Sequence, residues 1–408
     1  MKRSFFSKLC FYAFLFLLCF SFIFAANSLN KYNKNITMCY THNLDVVDDI
    51  QNQVESQLDD LNTNQLDEIL KNFSERQKDI FGNSSVADKI KKIINGSENF
   101  QIGDMFGVLF SAIFDNMASV IPILASICSI AILSSLLLQM RGSKMNKSLQ
   151  DIIHFACYGV IVTLVFGGVV ELVKITSSTL SLLKTQMEIM FPILLTLMAS
   201  IGSNVSVSIY QPLIAVLCGI MMQAFINVIL PIFSLILVFN VIGNLTSTVK
   251  LSKFSSFLIN LFKTIITFSF TIFGAFLTLS GIVANSYDRI SIRATKFAIK
   301  SYVPIIGSYI SDGFGLIITS NILIKNVLGY TGIVILFLTI ISPLIKIFLY
   351  KLGLSLVAGI IEPVADKRVT EFVDSSAKSM SMLSNIILAF SFAYIICVGL
   401  IMCSANVV

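Results

Sequence analysis

The chain contains little charge. Asp, Glu, Lys and Arg make up 13% of its 408 residues, whereas 55% of the residues are hydrophobic and the mean hydropathy is +0.84. Soluble domains carry roughly 25% charged residues. This composition argues against an ordinary soluble globular protein and indicates a polytopic membrane protein, with room for several spans and a modest soluble part.

The residues of common enzyme sites are also scarce. His42 and His154 are the two histidines, and they lie far apart in the sequence. No Cys/His cluster has the spacing of metal ligands. There is no G-x-x-x-x-G-K-[ST] loop, which excludes an ATPase of that class. The sequence therefore predicts no enzyme, no cofactor and no metal site.

Residues 1–26 are typical of an export signal. Lys2, Arg3 and Lys8 precede an apolar core at 9–24, and Ala25 and Ala26 follow it. Because large residues occupy a position where a signal peptidase prefers a small one, the segment is either a cleaved signal peptide or an uncleaved anchor. Both alternatives place residue 27 onward outside the cytoplasm.

The exported segment, residues 27–104, differs in charge from the rest of the chain. It holds 13 acids and 8 bases, whereas Lys and Arg outnumber acids 18 to 10 after residue 104. Apolar residues between 47 and 73 recur at helical spacing, which predicts two or three short helices that dock onto another surface. The later bases are spread thinly between apolar runs, so they indicate topology and lipid contact and not nucleic-acid binding.

Residues 105–408 form the predicted membrane domain. A span needs about 20 residues, so the runs 189–201 and 352–361 are too short alone and are predicted to be half-helices or extensions of their neighbours. We expect an all-α fold with seven or eight transmembrane helices, some of them broken. The apolar runs are 117–139, 152–173, 189–201, 207–229, 231–249, 264–285, 301–324, 326–350, 352–361 and 379–403.

An internal repeat at an offset of 112 residues is a further hypothesis. This offset places Pro192 on Pro304 and Pro231 on Pro343, and it superposes several apolar runs. Transporters and channels are often built from such repeats, with broken helices near the functional midplane. Two proline pairs can also share an offset by chance, so the sequence leaves both explanations open.

The positive-inside rule gives a topology with one conflict. It places the loops around Lys144 and Lys250 in the cytoplasm. The same topology places 286–300 outside, although Arg293 and Lys296 in this loop favour the inside. An amphipathic helix at 286–300, lying in the headgroup region, would soften the conflict without removing it.

Some ionisable residues near the spans have local explanations. Asp115 is expected on an interfacial helix before the first span. Glu171 and Lys174 have the i,i+3 spacing of an ion pair within one helix. Lys263 and Lys346 are expected to extend their amines from the spans to a headgroup layer.

Asp312 and Lys325 are harder to explain locally. On one continuous helix their thirteen-residue separation amounts to about 20 Å, and they cannot be partners. If the chain turns at Gly313 or Gly315, the two side chains could share a polar cavity; otherwise they are two separate interface positions. The candidate structural or translocation-path residues of this region are Arg293, Lys296, Pro304, Gly307, Asp312 and Lys325, of which Pro304 and Gly307 would break or kink the entering helix.

The same region carries a resemblance to a known family. The chain resembles the stage III sporulation protein AE family over roughly residues 105–403, and the block 293–329 is the most specific part. The matching residues are Arg293-Ala-Thr-Lys296-Phe297, Val303-Pro304-Ile-Ile-Gly307, Asp312 and Lys325-Asn326-Val-Leu-Gly329.

The resemblance implies a polytopic protein in the mother-cell membrane that engulfs the forespore of a spore-forming bacterium. Its implied partners are the other stage III A proteins and the forespore Q protein, which together form a channel-like, secretion-like apparatus. That apparatus supports late forespore gene expression, and an ATPase-like member of the group would supply energy. The residues alone leave two other functions open: a self-contained secondary transporter or permease, and a membrane scaffold without a conduction path.

Overall fold

A computed structural model of the chain describes residues 64–71, 73, 77–78, 85–94, 102–139, 147–245, 252–302 and 307–404. Nearly all of these residues are helical, and the described ranges contain no strand. The predicted all-α, polytopic fold class is confirmed. The export signal and most of the exported segment lie outside the described residues.

Two short helices precede a bundle of long ones. An apolar environment favours helices because a helix satisfies all of its interior backbone hydrogen bonds within one segment. The helices are α1 (Asn64–Lys71), α2 (Val86–Ile94), α3 (Ile102–Gln139), α4 (Lys147–Ser200), α5 (Asn204–Ala224), α6 (Leu230–Leu245), α7 (Ser252–Tyr302), α8 (Gly307–Ile361) and α9 (Lys367–Cys403).

Six helices in the described ranges are long and apolar enough to cross a membrane, where the sequence predicts seven or eight. The difference arises because long apolar runs join: 207–229 and 231–249 lie on one candidate span, Asn204–Gly243, and the described part of 301–324 is continuous with 326–350 in α8. The runs 152–173 and 189–201 both belong to α4, and 326–350 and 352–361 both belong to α8. The two short runs are therefore extensions of neighbours and not half-helices.

The described prolines of the apolar runs lie inside helices and do not end them. Pro192 lies inside α4 and Pro343 inside α8. Before Pro231, one π-helical turn, Phe225–Ile229, joins α5 to α6, and Leu230 N donates to the carbonyl of Phe225. Such a turn removes the clash that a proline ring makes with the preceding turn. Pro304 is outside the described residues, and the 112-residue repeat stays a prediction.

Several of the helices exceed the thickness of a membrane. α8 has 55 residues and α4 has 54, so each is about 80 Å long at 1.5 Å per residue. A hydrocarbon core of about 30 Å needs about 20 residues, and even a tilt of 40° raises this only to about 26. Each of these helices is therefore longer than one crossing of the membrane requires.

Helix α9 lies at the centre of the bundle. It packs on α8, α4 and α6, and about half of its residues are buried. Aromatic rings mark these contacts: Phe372 meets Tyr158 of α4, and Tyr394 meets Phe191, with ring centroids 5.7 and 5.9 Å apart. The interior of the bundle is thus filled by apolar side chains.

The turn between α4 and α5 requires a glycine. Gly202 has φ +90°, a left-handed conformation that costs an L side chain free energy. Its N–H bonds Ala199 O at 2.9 Å, and Ser203 N bonds Met198 O at 3.1 Å. These bonds close the end of α4 and reverse the chain within three residues.

Candidate functional site

Five of the six sequence-predicted site residues lie on two of the described helices. Arg293 and Lys296 lie on α7, whereas Gly307, Asp312 and Lys325 lie on α8. Pro304 is outside the described residues. The side chain of Arg293 is exposed.

Of the two alternatives left open for Asp312 and Lys325, the turn at Gly313 or Gly315 is not observed, since α8 runs without a break from Gly307 to Ile361. Asp312 and Lys325 are therefore about 20 Å apart along one helix, and the alternative of separate positions holds. A glycine inside a helix costs only about 1 kcal/mol relative to alanine. Unpaired backbone groups in an apolar environment cost more, so the helix continues.

The stretch 286–300 is helical, as predicted, but it is not a loop between two spans. This stretch is the C-terminal part of α7, which is continuous from Ser252 to Tyr302. The sequence there has no proline to end the helix that begins in the apolar run. Beside the turn after α4, Ile292 is buried on the same stretch, and its Cγ1 would lie 3.8 Å from a Cβ at Gly202.

Lys325 is the predicted site residue with a distinctive environment. Its side chain is fully buried, and its amine donates a hydrogen bond to the backbone carbonyl of Ser404, directly after α9. The Ser404 hydroxyl donates to Leu400 O at 2.8 Å and lies 3.2 Å from the hydroxyl of Tyr210 on α5. Three helices, α5, α8 and α9, thus meet through one lysine and one serine.

A second charged contact joins α4 to α8. Lys346 Nζ lies 2.5 Å from Glu171 Oε1, and the Lys346 side chain is only 17% exposed. This pairing corrects two predictions: the partner of Glu171 is Lys346 and not Lys174, and Lys346 pairs within the protein. A contact between positions this far apart in sequence cannot be found from helical spacing. One turn further along α8, Tyr350 Oη donates to Val165 O at 3.0 Å.

Amide and hydroxyl side chains gather around Pro343, a feature that the sequence interpretation missed. Gln186 of α4 donates to the Thr339 hydroxyl at 2.5 Å, and Asn116 of α3 donates to the Ser342 hydroxyl at 3.3 Å. Gln77, which lies between α1 and α2 in the sequence, donates to Leu338 O at 2.9 Å. One feature of the sequence could have indicated this cluster: polar residues next to a proline inside an apolar run.

Another polar contact lies in the N-terminal half of α9. Asn240 of α6 donates to the Ser379 hydroxyl at 3.0 Å, and the Ser255 hydroxyl of α7 donates to Asn240 Oδ1 at 3.3 Å. Hydrogen bonds between helices are a recognised means of holding transmembrane helices together. These contacts therefore act as ties between the long helices.

In the part of the chain that the structure describes, no group of three or more His, Cys, Asp or Glu side chains could hold a metal ion. The buried polar groups instead form hydrogen bonds between helices at several positions along the bundle. With six apolar helices of membrane-spanning length, this arrangement defines a polytopic α-helical membrane protein.

The chain belongs to the stage III sporulation protein AE family, whose sequence profile matches residues 84–405. It is 22% identical over 324 residues to the stage III sporulation protein AE of Bacillus subtilis (strain 168), covering 78% of this chain and 79% of that protein. No solved structure matches the chain. It is a sporulation membrane protein, as the residues quoted from 293–329 had indicated.

Proposed function

We propose that this chain is an integral membrane component of the channel-like, secretion-like complex between the mother cell and the forespore. In this role it is required for sporulation and late forespore gene expression. It resides in the mother-cell membrane around the forespore, with residues 27–104 on the non-cytoplasmic side. Membership of the family and the six candidate spans support the proposal.

The packing of α9 is the observation that carries this proposal. Phe372, Phe390 and Tyr394 are buried along the helix, and at most 1% of any of them is exposed. An interior filled in this way favours a conduit formed between subunits over one inside a single chain. We therefore propose the other stage III A proteins and the forespore Q protein as partners. Energy comes from an ATPase-like partner, and this chain contributes no catalysis.

The length of the helices supports the same role. Since α4, α7 and α8 continue beyond one hydrocarbon core, they present side chains that other proteins can contact. The exposed residues there include Ile290, Arg293 and Phe297 on α7. A component of a multiprotein assembly needs such surfaces, whereas a self-contained transporter does not.

Deletion of the gene tests the role in sporulation. We expect normal vegetative growth and a block in sporulation that the intact gene restores. Affinity purification of the tagged, functional protein from crosslinked sporulating cells should then recover the other stage III A proteins. A growth defect without a sporulation defect, or purification of the protein alone, would contradict the proposal.

Reconstitution separates the component from a transporter. The purified chain alone in liposomes should give no solute flux above that of empty liposomes. Flux that is abolished by Asp312→Asn would support the alternative of a secondary transporter instead.

A scaffold without a conduction path is the second candidate, because the same filled interior suits it. Cysteine accessibility across residues 301–326 in the assembled complex distinguishes the two roles. Alternating reactive and protected positions are expected of a helix beside a water-lined path. Protection throughout would eliminate that path and leave the scaffold.

A further inference from the structure

One exposed side of α5 and α6 carries a row of uncharged polar and small residues. The two helices and the π turn between them form a single candidate span, Asn204–Gly243. Steps of four residues drift by about 40° around an α-helix, and the wider π turn offsets part of this drift. Every fourth residue from 211 to 227 is exposed along this span, and we name these five residues the amide stripe: Gln211, Ala215, Gly219, Gln223 and Asn227.

The three amides of this stripe, on Gln211, Gln223 and Asn227, have no hydrogen-bond partner among the residues that the structure describes. Other amides of the bundle do have partners. Asn116 and Asn240 donate to hydroxyls on neighbouring helices at 3.3 and 3.0 Å. Amides at helix contacts of this protein thus join one helix to another, and the amide stripe presents the same chemistry outward.

The stripe reaches the depth of the hydrocarbon core. A crossing needs about 20 residues, and wherever it is placed within Asn204–Gly243 it contains Gln223 or Asn227. Lipid tails offer neither a donor nor an acceptor, so an amide that faces them stays unpaired and costs free energy. A further transmembrane helix with polar side chains would cover the amide and remove that cost.

The chemistry of the stripe fits a second copy of the same chain. All copies insert into the membrane with one orientation, so a two-fold pair has its axis along the membrane normal and places residues of the stripe opposite their own copies. An amide both donates and accepts, and it can therefore pair with its own copy. On the exposed side of α4, by contrast, Lys174, Lys184 and Glu188 are charged, and like charges placed opposite each other repel.

The small residues of the stripe allow a second helix to come close. Ala215 and Gly219 have the four-residue spacing found where transmembrane helices pack. A Cβ at Gly219 would meet nothing within 4 Å, so packing within the chain does not require a glycine there. We propose that two copies of this chain associate through the amide stripe, with Ala215 and Gly219 at the closest approach. The amides of Gln223 and Asn227 bond to their own copies across the pair.

Disulfide crosslinking locates the contact. In a variant without native cysteines, Asn227→Cys in membrane vesicles should form a covalent dimer when copper phenanthroline oxidises it. Asn260→Cys is the matched control, because Asn260 is an exposed asparagine inside the candidate span Lys253–Ser280 of α7, and it should stay monomeric. Labelling of Asn227→Cys by an impermeant maleimide, without a dimer, would place a water-filled path at the stripe and overturn the proposal.

Energy transfer between labelled copies measures the strength of the pair. The purified full-length protein, half of it labelled with a donor dye and half with an acceptor dye, is reconstituted alone in liposomes over a range of dilutions in lipid. Gly219→Leu should weaken the association about tenfold or more, because the side chain points away from its own chain and holds the partner helix off. Gly159→Leu is its control. Gly159 is an exposed glycine on α4 whose Cβ would also meet nothing within 4 Å, and this variant should associate as the native protein does.

The double variant Gln223→Leu, Asn227→Leu tests the amides themselves. Leucine is a good helix former and suits lipid, so the folded monomer should be retained while the association weakens about tenfold. A native protein that stays monomeric at every dilution overturns the proposal, as does an association that neither Gly219→Leu nor the double variant weakens. Crosslinking of Asn227→Cys in sporulating cells to a different protein alone would overturn it too, since the stripe would then bind that other partner.

Discussion

Lys325 donates a hydrogen bond from its buried amine to the backbone carbonyl of Ser404, and this contact joins the first half of α8 to the end of α9. The last carbonyls of a helix have no partner within it, and a positive charge is favourable at that end. The lysine that is anomalous in the sequence thus has a structural role at a helix terminus.

Lys325→Met removes this donor and keeps a long side chain. The Ser404 carbonyl then loses a charged partner in a buried position, so the free energy of unfolding should fall by about 1–3 kcal/mol. Denaturant unfolding of the purified protein in detergent measures the change. Lys253→Met, at an exposed position of α7, is the control. Equal stability of the two variants would show that the contact contributes nothing.

The Glu171–Lys346 pair should show measurable coupling. A double-mutant cycle with Glu171→Gln and Lys346→Met is expected to give about 0.5–1 kcal/mol, because the glutamate is 49% exposed and partly screened. Lys184 and Glu188 form an i,i+4 pair with both side chains more exposed, for which about 0.3–0.5 kcal/mol is expected. A coupling in the first cycle no larger than in the second would argue against a tie between α4 and α8.

Two neighbouring glycines of α4 should respond in opposite directions to alanine. A Cβ at Gly168 would overlap the ring and hydroxyl of Tyr350, whereas a Cβ at Gly167 meets nothing within 4 Å. Gly168→Ala should therefore destabilise the protein by about 1–3 kcal/mol through overpacking. Gly167→Ala should stabilise it by up to about 1 kcal/mol through helix propensity. Thermal unfolding of both variants checks this, and destabilisation by both would point to a general intolerance of α4.

The C-terminal part of α7 should react with water-soluble reagents. Arg293 and Phe276 are both exposed on this helix and lie seventeen residues apart, a distance of about 25 Å. In a variant without native cysteines, Arg293→Cys in membrane vesicles should be labelled by an impermeant maleimide. Phe276→Cys, inside the apolar span Lys253–Ser280, should be protected by lipid. Protection of both positions would show that 286–300 lies within the membrane, which would contradict this prediction.

The membrane class, the helical fold and the family could be predicted from the sequence alone, because each depends on composition, local periodicity or a short block of residues. The number and continuity of the helices could not. Short runs such as 189–201 and glycines such as Gly313 suggest breaks, but the backbone stays helical because no other conformation pairs its groups in an apolar environment. Helical spacing likewise assigned Glu171 to Lys174, since it cannot detect a partner on another helix.

The sequence by itself determined that this is an all-helical membrane protein of the sporulation family. Apolar runs of sufficient length dictate helices wherever they fold, and the quoted block from Arg293 to Gly329 identifies the family. The tertiary structure alone decided which polar groups meet. The partners of Lys325, Lys346 and Gln77 lie 79, 175 and 261 positions away in sequence. Such pairs form only when the apolar faces of the long helices pack and bring these distant positions together.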